Sequence, residues 1–256
     1  MNDPHVVALI YAIEVRADVD YDGAKPITFD TQDFSGFLDS KHLRIDLKKH
    51  FSDHEEAIAF VNPFLRAWEL EMDLSGRPGE IEFRYRTAEI KDRNPTPLPP
   101  GLHAISRSIE IPIEIRESLS RHISRATFTG PPYDLATTPD VEDMRHRLRM
   151  LSDDRTTLAD AAYYCLTKVD LIAGNRKGAV ATYGISMEVL TKLGDLSGNK
   201  GGREEVRKAR AVTEYSPEER AWLGATIKAI IRRVAEVAFD PASAKTPLTM
   251  AELPRL

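Results

Sequence analysis

Val7-Ala-Leu-Ile-Tyr-Ala-Ile-Glu-Val-Arg-Ala-Asp-Val-Asp-Tyr21 is the stretch that decides the fold class of this chain of 256 residues. Val7, Leu9, Tyr11, Ile13, Val15, Ala17, Val19 and Tyr21 share one parity, while Glu14, Arg16, Asp18 and Asp20 share the other. Successive side chains of a strand point to opposite faces, so this alternation predicts one long, half-buried strand over 7–21. Asp22-Gly23 then marks a turn. Short strands are expected at 26–29 and at 41–47, where Leu43, Ile45 and Leu47 stay in register. Ile81, Phe83 and Tyr85 open another strand, of about ten residues.

A helix interrupts this β pattern. Ser52 with Glu55 fits a capping box, and Ala57, Ile58, Val61, Leu65 and Trp68 recur at helical spacing. Pro63 predicts a kink or a restart, because proline lacks the N–H that an interior helical position needs. Asn94-Pro-Thr-Pro-Leu-Pro-Pro-Gly101 is expected to be a loop within one domain. Ile105, Ile109, Ile111, Ile113 and Ile115 alternate beyond it, and Pro112 suggests an edge strand.

After Thr138-Pro139 the pattern turns helical, with helices expected at 139–151, 156–173, 176–194, 202–212 and 217–239. Gly174 and Gly194 sit where C-caps should lie, and Ser216-Pro217 with Glu219 starts the last helix. The expected class is α+β: a mostly antiparallel β domain with one helical segment over 1–135, then a helical bundle over 139–245.

Composition narrows the function. No apolar run approaches the roughly 20 residues of a membrane helix, and no convincing secretory leader stands at the start. A single cysteine, Cys165, excludes an internal disulfide and a cysteine-based zinc cluster. A cytoplasmic location without a membrane partner is expected. The net charge of −5 is uneven: residues 1–100 carry −7 and the remainder +2. Within 199–233 the basic Lys200, Arg203, Arg207, Lys208 and Arg210 form the candidate nucleic-acid-facing stretch, opposed by the acidic N-terminal half.

Chemistry-bearing motifs are sparse. All seven histidines lie before residue 147. His50 and His54 have metal-pair spacing, but a helix that starts between them spoils the convergence, so no metal and no cofactor is expected. Asp46-Leu-Lys48 and Glu89-Ile-Lys91 match the acidic-x-lysine element of metal-dependent nucleases, a triplet that polar strand faces also produce readily. No nucleophile elbow or phosphate-binding loop is present.

Ala162-Tyr-Tyr-Cys-Leu-Thr167, Thr182-Tyr-Gly-Ile-Ser-Met-Glu-Val-Leu-Thr-Lys-Leu-Gly194 and Arg220-Ala-Trp-Leu through Ile231-Arg-Arg233 resemble the helical domains of the HEPN superfamily, and more loosely a group of bacterial proteins. The resemblance covers about 100 residues. It implies a helical fold and a bacterial setting such as antiviral defence. Active members of that superfamily are dimeric ribonucleases whose motif is an arginine followed a few residues later by histidine. The helical half departs from that pattern, having no histidine beyond His146. Elsewhere Arg44 to His50 and Arg116 to His122 match it, and Arg116 with His122 is the candidate catalytic pair.

The same region also resembles a helix-turn-helix. Gly184 would take the turn, Ser186 would cap the second helix, and Val189 and Leu190 would pack it on the first. Met187, Glu188, Thr191 and Lys192 are poor equipment for reading base edges. The first expectation is therefore a non-enzymatic interaction or regulatory module with a protein partner or a second copy. A metal-independent HEPN-type ribonuclease and a helix-turn-helix DNA-binding protein are the alternatives.

Overall fold

The computed structural model describes residues 2–95, 123–199, 214–242 and 246–256. They fall into two compact units, divided inside a helix at Asn62/Pro63, again at Glu80/Ile81, and at Phe128/Thr129. The expected strand with Ile105–Ile115 and the expected helix at 202–212 lie outside the described residues.

The first unit holds a five-stranded antiparallel sheet in the order β3-β4-β5-β1-β6. Its strands are β1 (Pro4–Val15), β3 (Ile27–Asp30), β4 (Phe34–Leu38), β5 (His42–Leu47) and β6 (Ile81–Asp92). β1 lies between β5 and β6, so both of its edges are hydrogen-bonded. The 7–21 alternation does not survive as one strand. Register shifts against β6, between Val6 and Ala8 and between Ile10 and Tyr11, break the parity. Ala8, Leu9, Tyr11 and Ala12 are all buried as a result. The chain then turns, with Val19 N donating to Arg16 O at 3.0 Å. A short β2 (Val19–Asp20) pairs in parallel with β7 (Ile123–Ser124). The alternating sequence thus covers two strands.

β4 was not foreseen as a strand. Gly36 makes it fit: a Cβ there would lie 2.2 Å from the Phe29 ring on the neighbouring strand. Helix α1 (His54–Ser75) begins one residue later than the expected box, with Ala57 N bonded to Asp53 O. It runs through Pro63 as one helix, so the predicted restart does not occur. Val61, Leu65 and Trp68, buried on either side of the proline, supply packing that offsets the lost hydrogen bond.

The second unit contains the C-terminal part of α1 with α2 (Pro139–Ser152), α3 (Leu158–Ile172), α4 (Arg176–Tyr183), α5 (Met187–Asn199) and α6 (Pro217–Phe239). The sequence groups all of α1 with the β region; contacts place Ala67, Leu70 and Leu74 in the same core as the later helices. Trp68 is fully buried in this unit, and its indole Nε1 donates to Thr129 O at 2.7 Å. Thr138, Thr157, Asn175 and Ser216 cap α2, α3, α4 and α6. Gly174 follows the α3 cap with φ +80°, as a C-cap glycine should. Gly194 does not end a helix. It lies inside α5, where a Cβ would meet Leu166 Cδ2 of α3 at 3.3 Å, so the glycine permits close helix approach. No helix among the described residues is long and apolar enough to cross a membrane.

Candidate functional site

The helical pattern over 176–194 is broken at Gly184, which has φ +62° and donates its N–H to Val180 O at 3.0 Å. Left-handed backbone favours glycine, and this glycine separates α4 from α5. Ile185 is buried and Ser186 caps α5, its hydroxyl accepting from Val189 N at 3.3 Å. Val189, Leu190 and Leu193 are buried together with Ala179 and Tyr183 of α4. Two short helices joined by a three-residue turn have the form of a helix-turn-helix.

The face that α5 leaves outward is readable residue by residue. Met187 is 41 % exposed, and Glu188, Thr191 and Asp195 are exposed beside it. Lys192 is half-buried. The stripe is therefore apolar at its start and acidic along its length. Such a surface repels phosphate and suits an apolar or basic protein surface.

The two acidic-x-lysine triplets meet in the first unit. Arg44 Nη1 and Nη2 donate to Glu89 Oε1 and Oε2 at 2.6 and 2.8 Å, and Arg44 Nε donates to Asp46 Oδ1 at 2.8 Å. The bridge crosses β1, where Ala8 aligns with both Asp46 and Glu89. Hydrogen bonding to the guanidinium holds the Glu89 carboxyl below its ordinary value. Arg44 thus occupies the space between the two carboxylates and satisfies both. Lys48 turns away to Asp30 and the Thr31 carbonyl.

His5 Nδ1 and His50 Nδ1 are 3.0 Å apart, and the His54 ring stacks on Tyr85 at 6.1 Å. Among the described residues no group of three or more His, Cys, Asp or Glu side chains is placed to hold a metal. Arg116 and His122, and Lys200, Arg203, Arg207, Lys208 and Arg210, lie outside the described residues.

Sequence reading missed a buried charge network in the second unit. Arg145 Nε donates to Asp73 Oδ2 at 2.6 Å and Arg145 Nη2 to Glu69 Oε2 at 3.1 Å. Arg149 Nε reaches the same Asp73 oxygen at 2.7 Å, and Gly79 N donates to Asp73 Oδ1 at 2.7 Å. The signal was present: Glu69 and Asp73 stand four apart on α1, as Arg145 and Arg149 do on α2. Its partners are satisfied internally, so it is a structural joint of α1 and α2.

Comparison of the chain with known protein families, with curated proteins and with solved structures finds no match.

Proposed function

We propose that this chain is a non-enzymatic interaction or regulatory module, which engages a protein partner through the outward face of α5. One observation carries the reading. The α4–α5 turn is built with helix-turn-helix precision of capping, yet the presented stripe is Met187, Glu188, Thr191 and Asp195. The presented face is acidic and apolar. A bacterial cytoplasmic setting such as antiviral defence rests on the HEPN resemblance alone.

DNA reading by α5 is the second reading, favoured by the Gly184 turn itself. The HEPN-type ribonuclease rests on Arg116 and His122. A titration of full-length protein into labelled duplex DNA and single-stranded RNA separates these readings. The proposal expects no submicromolar binding at about 0.15 M salt and no cleavage of the RNA. Submicromolar duplex binding that weakens steeply with salt supports the second reading instead. RNA cleavage lost in a folded His122→Ala variant supports the ribonuclease.

A further inference from the structure

The segment after α6 returns to the α4–α5 turn. Leu248 N donates to Gly184 O at 2.8 Å, and Ser186 N donates to Leu248 O at 2.9 Å. Together they make an isolated parallel bridge between Ile185 and Leu248. Both turn groups sit at helix ends, where backbone donors and acceptors lack intrahelical partners, so the returning segment satisfies them. Leu248 and Leu253 are buried in the helical core, and Met250 packs partly against it. Between the leucines, Thr249 and Glu252 close a capping box around a 3-10 turn, Met250–Glu252. Arg233 of α6 donates from Nη2 to Thr246 O at 2.7 Å.

This attachment differs from that of the helices. Residues 246, 247, 251, 252 and 254 are exposed around the two leucine anchors. Pro247 and Pro254 donate no backbone hydrogen bond. The capping box closes the 3-10 turn with bonds inside the segment itself. A short segment held by two buried side chains and two bridging backbone hydrogen bonds is the kind of unit that opens below the global unfolding threshold.

We infer that residues 246–253 form a detachable clasp on the α4–α5 turn, which opens as a unit while the helices stay folded. Closed, it fixes Gly184 and Ser186 and so fixes where α5 begins. Open, it frees the start of α5 and the turn backbone. The inference holds whatever α5 binds.

The two bridging hydrogen bonds supply their own reporters, the Ser186 and Leu248 amides. Native-state hydrogen exchange of the full chain, read by NMR, measures both beside the Ile230 amide in the middle of α6. With each rate divided by that amide's intrinsic exchange rate, the clasp predicts one common opening free energy for Ser186 and Leu248, lower than that of Ile230. In Leu253→Ala the two should accelerate together by about tenfold or more, while Ile230 changes by less than about twofold. Unequal opening free energies for the pair, or a pair as strongly protected as Ile230, overturn the inference. Equal acceleration of all three in the variant also overturns it. If Leu253→Ala fails to fold, the comparison within the unsubstituted protein decides alone.

Discussion

Arg145 and Asp73 form a charge pair inside the second unit, 2.6 Å apart, with side chains 2 % and 1 % exposed. Glu69 and Arg149 extend it, so each buried charge meets an opposite one. Removing one member strands the others in a medium that solvates charge poorly. Arg145→Ala should therefore cost about 3–5 kcal/mol. Urea denaturation checks it. A loss below about 1 kcal/mol, typical of an exposed ion pair, would show that the cluster is wetter than its geometry indicates.

Trp68 separates packing from hydrogen bonding. Trp68→Ala should cost about 3–5 kcal/mol, because a large aromatic leaves a cavity. Trp68→Phe keeps most of the ring and loses the donor to Thr129 O. It should cost clearly less, near the roughly 1–3 kcal/mol of an unsatisfied buried acceptor plus the smaller ring. Equal losses in the two variants would mean that the ring contributes little.

Burial pushes the Cys165 thiol from 9.0 up to about 12. The folded value is the raised one, so this contribution is complete below the unfolded pKa. It falls as pH rises between about 9 and about 12. Stability should decline more steeply over that window in the unsubstituted protein than in Cys165→Ala. Thiol labelling near neutral pH should be slow in the native state and fast in denaturant; rapid native labelling would put α3 in the wrong register.

Gly184→Ala places a Cβ on a left-handed backbone at φ +62°. It should destabilise by about 1–2 kcal/mol. Gly184→Asn should cost less, since asparagine tolerates that region. Thermal melts of both variants, compared with the parent, give the order. A neutral Gly184→Ala would show that α4 and α5 can join without the left-handed turn.

The legible parts of this fold were those where local pattern and tertiary demand agree. The start of α2 after Thr138, the cap at Ser216 and the buried faces of α3 and α6 all obey their own periodicity; β6 forms where its alternation predicts a strand, but only Ile81 of it is buried. β1 did not keep its pattern: two register shifts interrupt its parity, and adjacent Ala8 and Leu9, which point to opposite faces, are both buried. Pro63 does not interrupt α1 and Gly194 does not end α5: each is a local breaker retained inside a helix, one between buried Val61 and Leu65, the other against Leu166. The Arg44 bridge joins residues 45 apart in sequence, so no local spacing announces it. The clasp was equally silent, since a single bridge from Leu248 to the Gly184 turn has no periodicity.

On the proposed reading, the outward face of α5 meets a protein. Site-specific photo-cross-linking tests it, with a benzophenone amino acid at position 187 of the full-length protein in living cells and at exposed Glu56 as control. The account predicts a discrete protein adduct from 187, absent from 56 and lost when Glu188→Lys reverses the charge beside it. Identical adducts from both positions, or a nucleic-acid adduct at 187, would contradict it.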